Sequence, residues 1–213
     1  MTSLRITEIF CSIQGESTTA GEPTVFVRLT GCPLRCHYCD TAYAFSGGEK
    51  IAIPEIVDKV AEFGVKFVTV TGGEPLAQQE CHALLVALCD ADFKVSLETS
   101  GALSIENIDR RVRTILDLKT PGSGEERKNL LSNIEHLKPV DEIKFVICDR
   151  DDYDYALNAI RKNRLTDKCQ ILFSPSYQQL DPKQLGQWML DDKAPARLQL
   201  QMHKYLWGDE PGR

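Results

Sequence analysis

An α/β chain wound as an incomplete barrel of about six strand–helix units is predicted by three features of the sequence. Short segments rich in Val, Ile, Phe and Leu alternate with segments whose apolar residues repeat at helical spacing. From residue 66 onward the strand-like segments recur roughly every 19 to 30 residues, the interval that a strand, a right-handed crossover and a parallel return require. At 213 residues the chain falls short of the ~250 that eight such units typically occupy, so the barrel is TIM-like but partial.

Strands are expected at residues 5–10, 24–31, 66–71, 93–98, 113–118, 142–148, 170–173 and 197–202, short apolar runs bounded by Gly, Pro or Asp. Helices are expected at 53–63, 78–89, 152–163 and 182–190, the first carrying Ile56, Val60 and Phe63 at helical spacing. The stretch 120–126, Thr-Pro-Gly-Ser-Gly-Glu-Glu, reads as a surface loop. No low-complexity linker divides the chain, so residues 1–213 read as one domain.

Composition excludes several classes. A chain this long buries roughly 70% of its unfolded surface and needs no disulfide staples. Its 25 basic and 31 acidic residues give a net charge of −6, the wrong sign for a protein that coats nucleic acid. No apolar run approaches ~18 residues, so no membrane partner is expected and the chain reads as soluble and cytoplasmic. In a reducing compartment, eight cysteines point to metal or catalysis rather than disulfides. Cys11, Cys81, Cys89, Cys148 and Cys169 stand alone and read as small buried hydrophobes. Cys32, Cys36 and Cys39 fall within eight residues.

Ligand sites in a parallel sheet gather outside the carboxyl ends of the strands. The loop after the second strand is Gly31-Cys32-Pro33-Leu34-Arg35-Cys36-His37-Tyr38-Cys39-Asp40-Thr41. Three thiolates in a CxxxCxxC pattern suit three corners of a cubane iron–sulfur cluster, and a structural zinc site using the same cysteines with His37 is the alternative. The loop after the third strand, Thr71-Gly72-Gly73-Glu74-Pro75, lets the backbone approach a ligand closely. Arg28 interrupts the apolar run Val25-Phe26-Val27-Arg28-Leu29 and needs a carboxylate, either an internal glutamate or a ligand group. Glu98 ends another strand, where it could accept hydrogen bonds from ring or amino N–H groups. His203 and Lys204 follow the alternation of Leu198, Leu200 and Met202, which by itself is only an edge strand.

The CxxxCxxC loop followed by GGEP resembles the radical S-adenosylmethionine (SAM) superfamily. Further words narrow it: Gln14-Gly15-Glu16, Gly21-Glu22-Pro23, Asp40-Thr41, Glu98-Thr99-Ser100-Gly101 and His203-Lys204-Tyr205. In this order, over residues 5 to 206, they are similar to the 7-carboxy-7-deazaguanine synthase family of the queuosine and 7-deazapurine route. The resemblance implies a [4Fe–4S] cluster on Cys32, Cys36 and Cys39, with the loop 31–41 as cluster loop. It implies SAM contacts at Tyr38, Cys39, Asp40 and Gly73, and in the segments Asp117, Leu118, Lys119 and Ser174, Pro175, Ser176, Tyr177. Substrate contacts are implied at Ile13, Gln14, Gly15, Glu16, Arg28, Thr71, Glu98 and His203, with 197–213 as a C-terminal substrate-side segment. Thr41 is implied as a ligand of Mg2+, a hard cation that takes oxygen. The implied reaction is a carbon–nitrogen lyase step, turning 6-carboxy-5,6,7,8-tetrahydropterin into 7-carboxy-7-deazaguanine with loss of ammonia. An electron donor of flavodoxin or ferredoxin type and a homodimer are further implications.

Two alternatives fit part of the pattern. A glycyl-radical-enzyme activase of the same superfamily uses the cysteines and GGEP but leaves Arg28, Gln14-Gly15-Glu16 and the His203-Lys204-Tyr205 end unexplained. A non-catalytic zinc-binding module uses the cysteines alone. The tail 207–213, rich in Gly and Pro, is expected to fray rather than to fold its terminal Arg213 back.

Overall fold

Leu4 and Ile6 alternate with the polar Ser3, Arg5 and Thr7 at the start of the N-terminal segment, and it forms β1 (Ser3–Ile13), which pairs antiparallel with β2 (Pro23–Leu29). A computed structural model of the chain describes all residues except Met1, Asp209, Pro211 and Arg213. The fate of Arg213 therefore lies outside the described residues. A short strand absent from the sequence reading, β3 (Glu49–Ala52), pairs with the outer edge of β1.

From β2 onward every pairing is parallel. The helices α1 (Ile53–Glu62) and α2 (Cys81–Asp90) lead into β4 (Phe67–Gly72) and β5 (Lys94–Thr99), followed by β6 (Arg113–Asp117) and β7 (Glu142–Ile147). Then come α3 (Arg150–Asn163), β8 (Gln170–Pro175), α4 (Pro182–Asp191), β9 (Arg197–Leu198) and α5 (Met202–Trp207). One nine-stranded sheet runs β3-β1-β2-β4-β5-β6-β7-β8-β9 and does not close on itself. Six parallel crossovers match the expected six units, but only four carry an α-helix. The links into β6 and β7 are loops and 3-10 turns. Among the described residues no helix is long and apolar enough to cross a membrane.

Local chemistry sets the helix boundaries. Asp149 accepts the N–H of Asp152 at 2.9 Å to start α3, and Asp181 accepts that of Lys183 at 2.9 Å to start α4 ahead of Pro182. Ile56 and Val60 of α1, and Tyr153, Ala156 and Ile160 of α3, bury the apolar face of each helix against the sheet.

The strands alternate cleanly. In β5, Val95 and Leu97 enter the core while Ser96 and Glu98 face the concave side. The same period puts Phe26 and Arg28, Thr69 and Thr71, Asp117, and Lys144 and Val146 against that concave side, where all but Thr69 line one chamber. Register aligns Arg28 with Thr71 and Asp117 with Lys144.

Two expectations are corrected. The strand at 197–202 ends after Leu198: Gln199 still bonds the Phe173 carbonyl at 2.8 Å, but the chain then leaves the sheet and Met202 opens α5, so His203 and Lys204 are helical. The loop 120–126 lies at the surface through Pro121 and Gly124, but it is anchored rather than freely solvated, since Thr120 and Ser123 are fully buried. Its Ser123 carbonyl accepts the His37 N–H at 3.1 Å, and the Glu125 carboxylate accepts the Arg35 N–H at 2.5 Å, so it braces the loop 31–41. Of the lone cysteines, Cys81 is fully buried, and Cys11, Cys89 and Cys169 are half-buried against the core.

Candidate active site

The concave face encloses a chamber of about 420 Å³. Cys32, Cys36 and Cys39 all border it, half-buried and with free thiols. Burial pushes the Cys32 and Cys36 thiols up. The loop that carries them is set by the GGEP segment. Glu74 N–H donates to the Gly31 carbonyl at 2.8 Å, and Gly73 N–H to that of Leu29 at 3.2 Å. Gly72 and Gly73 are obligatory here, because a Cβ on either would lie 2.4 Å from the Leu29 carbonyl oxygen or 2.3 Å from that of Gly31. Glu74 itself is buried and turned inward: it accepts from Leu76 N–H at 3.0 Å, Thr99 Oγ1 at 2.9 Å and Ser100 N–H at 2.7 Å. It thus ties the end of β4 to the end of β5.

Gln14 and Glu16 reach the chamber from the β1–β2 turn. Gln14 is buried and donates to Thr69 Oγ1 at 3.1 Å and to Glu98 Oε1 at 3.5 Å, while Thr71 donates to Glu98 Oε2 at 2.9 Å. Arg28 satisfies its Nε internally, on Glu8 at 2.6 Å, and its guanidinium lies 5.9 Å from the ring centres of both Phe10 and Tyr43. Glu8 Oε1 also accepts the Tyr43 hydroxyl at 2.8 Å. The internal glutamate expected for Arg28 is therefore present, and Arg28 still lines the chamber.

A buried charge cluster forms the floor. Lys144 Nζ lies 2.7 Å from Glu16 Oε2 and 3.3 Å from Asp117 Oδ2, and Lys119 Nζ lies 3.1 Å from that same Asp117 oxygen. Burial alone would raise the Glu16 carboxyl, but the Lys144 ammonium, with the hydrogen bonds from Lys144 and Gln201, outweighs it and holds it below its ordinary value. Glu98 moves the other way, raised by burial and by the charge of Glu16. Lys144, penalised by burial, is held protonated well above its ordinary value by Glu16 and Asp117.

The side that the open barrel leaves bare is crossed by residues 199–204. Ser17 N–H donates to Gln199 Oε1 at 2.7 Å, Gln201 Nε2 to Glu16 Oε1 at 2.8 Å, and Met202 N–H to the Gly15 carbonyl at 3.0 Å. Gly15 has no room for a side chain, because a Cβ would sit 2.3 Å from His203 Nδ1. Lys204 Nζ reaches Asp40 Oδ2 at 3.5 Å, and Thr41 donates to Asp40 Oδ1 at 2.8 Å.

All eight substrate-side residues expected from the sequence line the chamber, as do Tyr38, Cys39, Asp40, Thr41, Gly73, Asp117, Lys119, Ser176 and Tyr177. Leu118, Ser174 and Pro175 are buried and do not line it. Lys144, Gln201 and a wall of Phe10 and Phe26, stacked at 5.1 Å, line the chamber in addition to the residues expected from the sequence. Lys144 was legible in principle, as a lysine inside the apolar strand 142–147 that breaks it just as Arg28 breaks its own.

Similarity to known proteins decides the family. The Radical SAM superfamily matches residues 26–166. A 7-carboxy-7-deazaguanine synthase of Chlorobaculum tepidum is 45% identical over 97% of this chain and 96% of its own length. The chain belongs to the 7-carboxy-7-deazaguanine synthase family of radical SAM enzymes. Another synthase, from Koribacter versatilis, is 42% identical over 97% of this chain and 98% of its own. The fold is also that of QueE from Escherichia coli, with a TM-score of 0.77 at 22% identity over 94% of this chain and 95% of that one. As a radical SAM lyase the protein uses a [4Fe–4S] cluster and SAM, and its residues fit both. The three thiols share one chamber, and His37, which a zinc site would need as fourth ligand, instead packs over Gly124 and does not line the chamber. Tyr38 Oη and Asp117 Oδ1 are buried with no partner among the described residues, polar atoms left for a ligand.

Proposed function

We propose that the protein converts 6-carboxy-5,6,7,8-tetrahydropterin to 7-carboxy-7-deazaguanine with release of ammonia, in the cytoplasm, with Mg2+ as a further cofactor. The observation that carries this reading is the pairing, in one chamber, of a three-cysteine loop with Arg28 of β2, Glu98 of β5 and Glu16 of the β1–β2 turn. The cluster and SAM together supply, on one-electron reduction, a carbon radical able to abstract hydrogen.

Cys32, Cys36 and Cys39 would hold the cluster. Tyr38, Asp40, Gly73, Asp117, Lys119, Ser176 and Tyr177 would line the SAM side, with Leu118, Ser174 and Pro175 shaping it from the core. On the substrate side Arg28 would take the pterin carboxylate, a bidentate task for which Glu8, Phe10 and Tyr43 already orient its guanidinium. Gln14, Glu16 and Glu98 would accept from ring and amino N–H groups, with Thr71 keeping Glu98 in place. Glu16 and Glu98 are pushed in opposite directions, Glu16 held down by Lys144 and Glu98 raised by burial and by the charge of Glu16, so the two carboxyls are not equivalent toward the substrate. Ile13 and Gly15 would bound the ring, and His203 would close the site from α5. Thr41 Oγ1 would be the protein ligand of Mg2+, which shields developing negative charge on substrate oxygen. The homodimer and the flavodoxin- or ferredoxin-type donor implied by the sequence belong to the same proposal.

The test is turnover of the reconstituted protein by reductant, SAM and the pterin, with and without Mg2+. Product formation that requires the pterin and is stimulated by Mg2+ is expected, with the stimulation lost in Thr41→Val. Full activity of Thr41→Val at every Mg2+ concentration would remove Thr41 from the metal.

A further inference from the structure

The inward register of β7 carries Glu142, Lys144 and Val146, and of these only Lys144 is a cation inside the chamber. Its ammonium bridges two carboxylates of different standing: Glu16 at 2.7 Å, from the turn that faces the substrate, and Asp117 at 3.3 Å, from the SAM side. Glu16 is held from the other direction by Gln201 at 2.8 Å and Gln199 at 3.4 Å. A carboxylate gripped at both oxygens has one orientation. We propose that Lys144 is a positioning residue for the pterin: it holds the Glu16 side chain in the one orientation that accepts the substrate N–H edge. This rests on the pterin reading above.

The groups that face Glu16 are Lys144 from β7, His203 from α5 and Glu98 from β5, with Asp117 and Lys119 beyond Lys144. Burial lowers His203, so it is a weak source of positive charge at neutral pH. Without Lys144, a buried Glu16 beside the Glu98 carboxylate has no strong counter-charge. Two carboxyl groups so placed take up a shared proton, and the acceptor is lost as pH falls. The intact pair suffers no such loss over the neutral range.

The experiment measures pterin affinity and KM in the anaerobic holoenzyme from pH 6 to 8.5, for wild type, Lys144→Met, Lys144→Arg, Glu16→Gln and the double variant Lys144→Met/Glu16→Gln. For Lys144→Met, the ratio of pterin dissociation constant to wild type should grow toward low pH, approaching about tenfold for each unit below the pair's raised titration. SAM affinity should fall less, and Lys144→Arg should restore a flat ratio. The double variant removes both charges of a buried pair, so it folds even where Lys144→Met does not. It should bind the pterin as weakly as Glu16→Gln and no worse, with no slope. A pH-independent ratio for a folded Lys144→Met, or a double variant markedly weaker than Glu16→Gln, would overturn the proposal. Failure of the wild-type protein to bind or turn over the pterin is a separate result, and it would refute the proposed function instead.

Discussion

Gly73 rests on the backbone of the cysteine loop: a Cβ at this position would lie 2.3 Å from the carbonyl oxygen of Gly31. Backbone meets backbone there, so no side chain can yield, and the GGEP segment and the cysteine loop move as one body. Gly73→Ala should therefore cost about 1–3 kcal/mol of stability by overpacking, and it should displace the loop that carries Cys32. Iron retained after anaerobic reconstitution, and SAM affinity measured on the same sample, should both drop. Unchanged iron content and unchanged SAM affinity would mean that the two loops are independent.

Arg28 can be separated from the cofactor side. In Arg28→Met the loss of charged hydrogen bonds worth about 1.5–3 kcal/mol raises the pterin KM roughly 10- to 150-fold. SAM binding should be unaffected, since Arg28 is fixed by Glu8, Phe10 and Tyr43 rather than by the cysteine loop. Lys at this position should rescue poorly, because an ammonium cannot reproduce the planar fork. Parallel losses of pterin and SAM affinity would make Arg28 a structural partner of Glu8 only.

Glu74 is a stability residue despite its place in the motif. Its carboxylate serves the N–H groups of Leu76 and Ser100 and the hydroxyls of Thr99 and Ser100. Glu74→Ala leaves these donors buried without a partner, at a cost of about 3 kcal/mol or more. For a chain of this size the melting temperature should fall by about 6–12 °C, measured by differential scanning calorimetry on the cluster-free protein. A change of under about 2 °C would show that water replaces the carboxylate freely.

Much of this arrangement was legible in the sequence, and the limits have physical causes. The end of the strand 93–98 pointed Glu98 toward the ligand face, the cysteine spacing marked the loop 31–41 as a metal-binding loop, and Asp117 came from the family resemblance alone. The inward pairing of Arg28 with Glu8 was expected in kind, since a strand arginine needs a carboxylate. What was hidden depends on contacts between distant segments. The loop 120–126 has the composition of a solvated turn, yet Thr120 and Ser123 are buried where the cysteine loop folds onto it, with His37 over Gly124. Residues 199–204 carry strand-like alternation, but the Gly15 carbonyl and the Glu16 carboxylate draw them out of the sheet and into α5. No local pattern encodes a partner nearly two hundred residues away.

Acid should weaken the fold in a defined window. Burial outweighs Glu16 and Asp40 at His203 and depresses its folded pKa below its unfolded value near 6.5. The unfolded chain then binds more protons, so stability rises with pH through this interval and is lost as pH falls from about 7 toward the folded value. Thermal melts of the cluster-free protein between pH 7.5 and 5 should show this decline, and His203→Gln should show less of it. Identical pH slopes for the two proteins would place the titration elsewhere.

The most direct measurement is an anaerobic assay of the reconstituted protein with reductant, SAM, Mg2+ and 6-carboxytetrahydropterin, following the product by mass. The expected result is 7-carboxy-7-deazaguanine together with ammonia, both abolished in Cys36→Ala along with the brown colour of the cluster. Unconverted pterin in the presence of a fully loaded cluster that still cleaves SAM would contradict it.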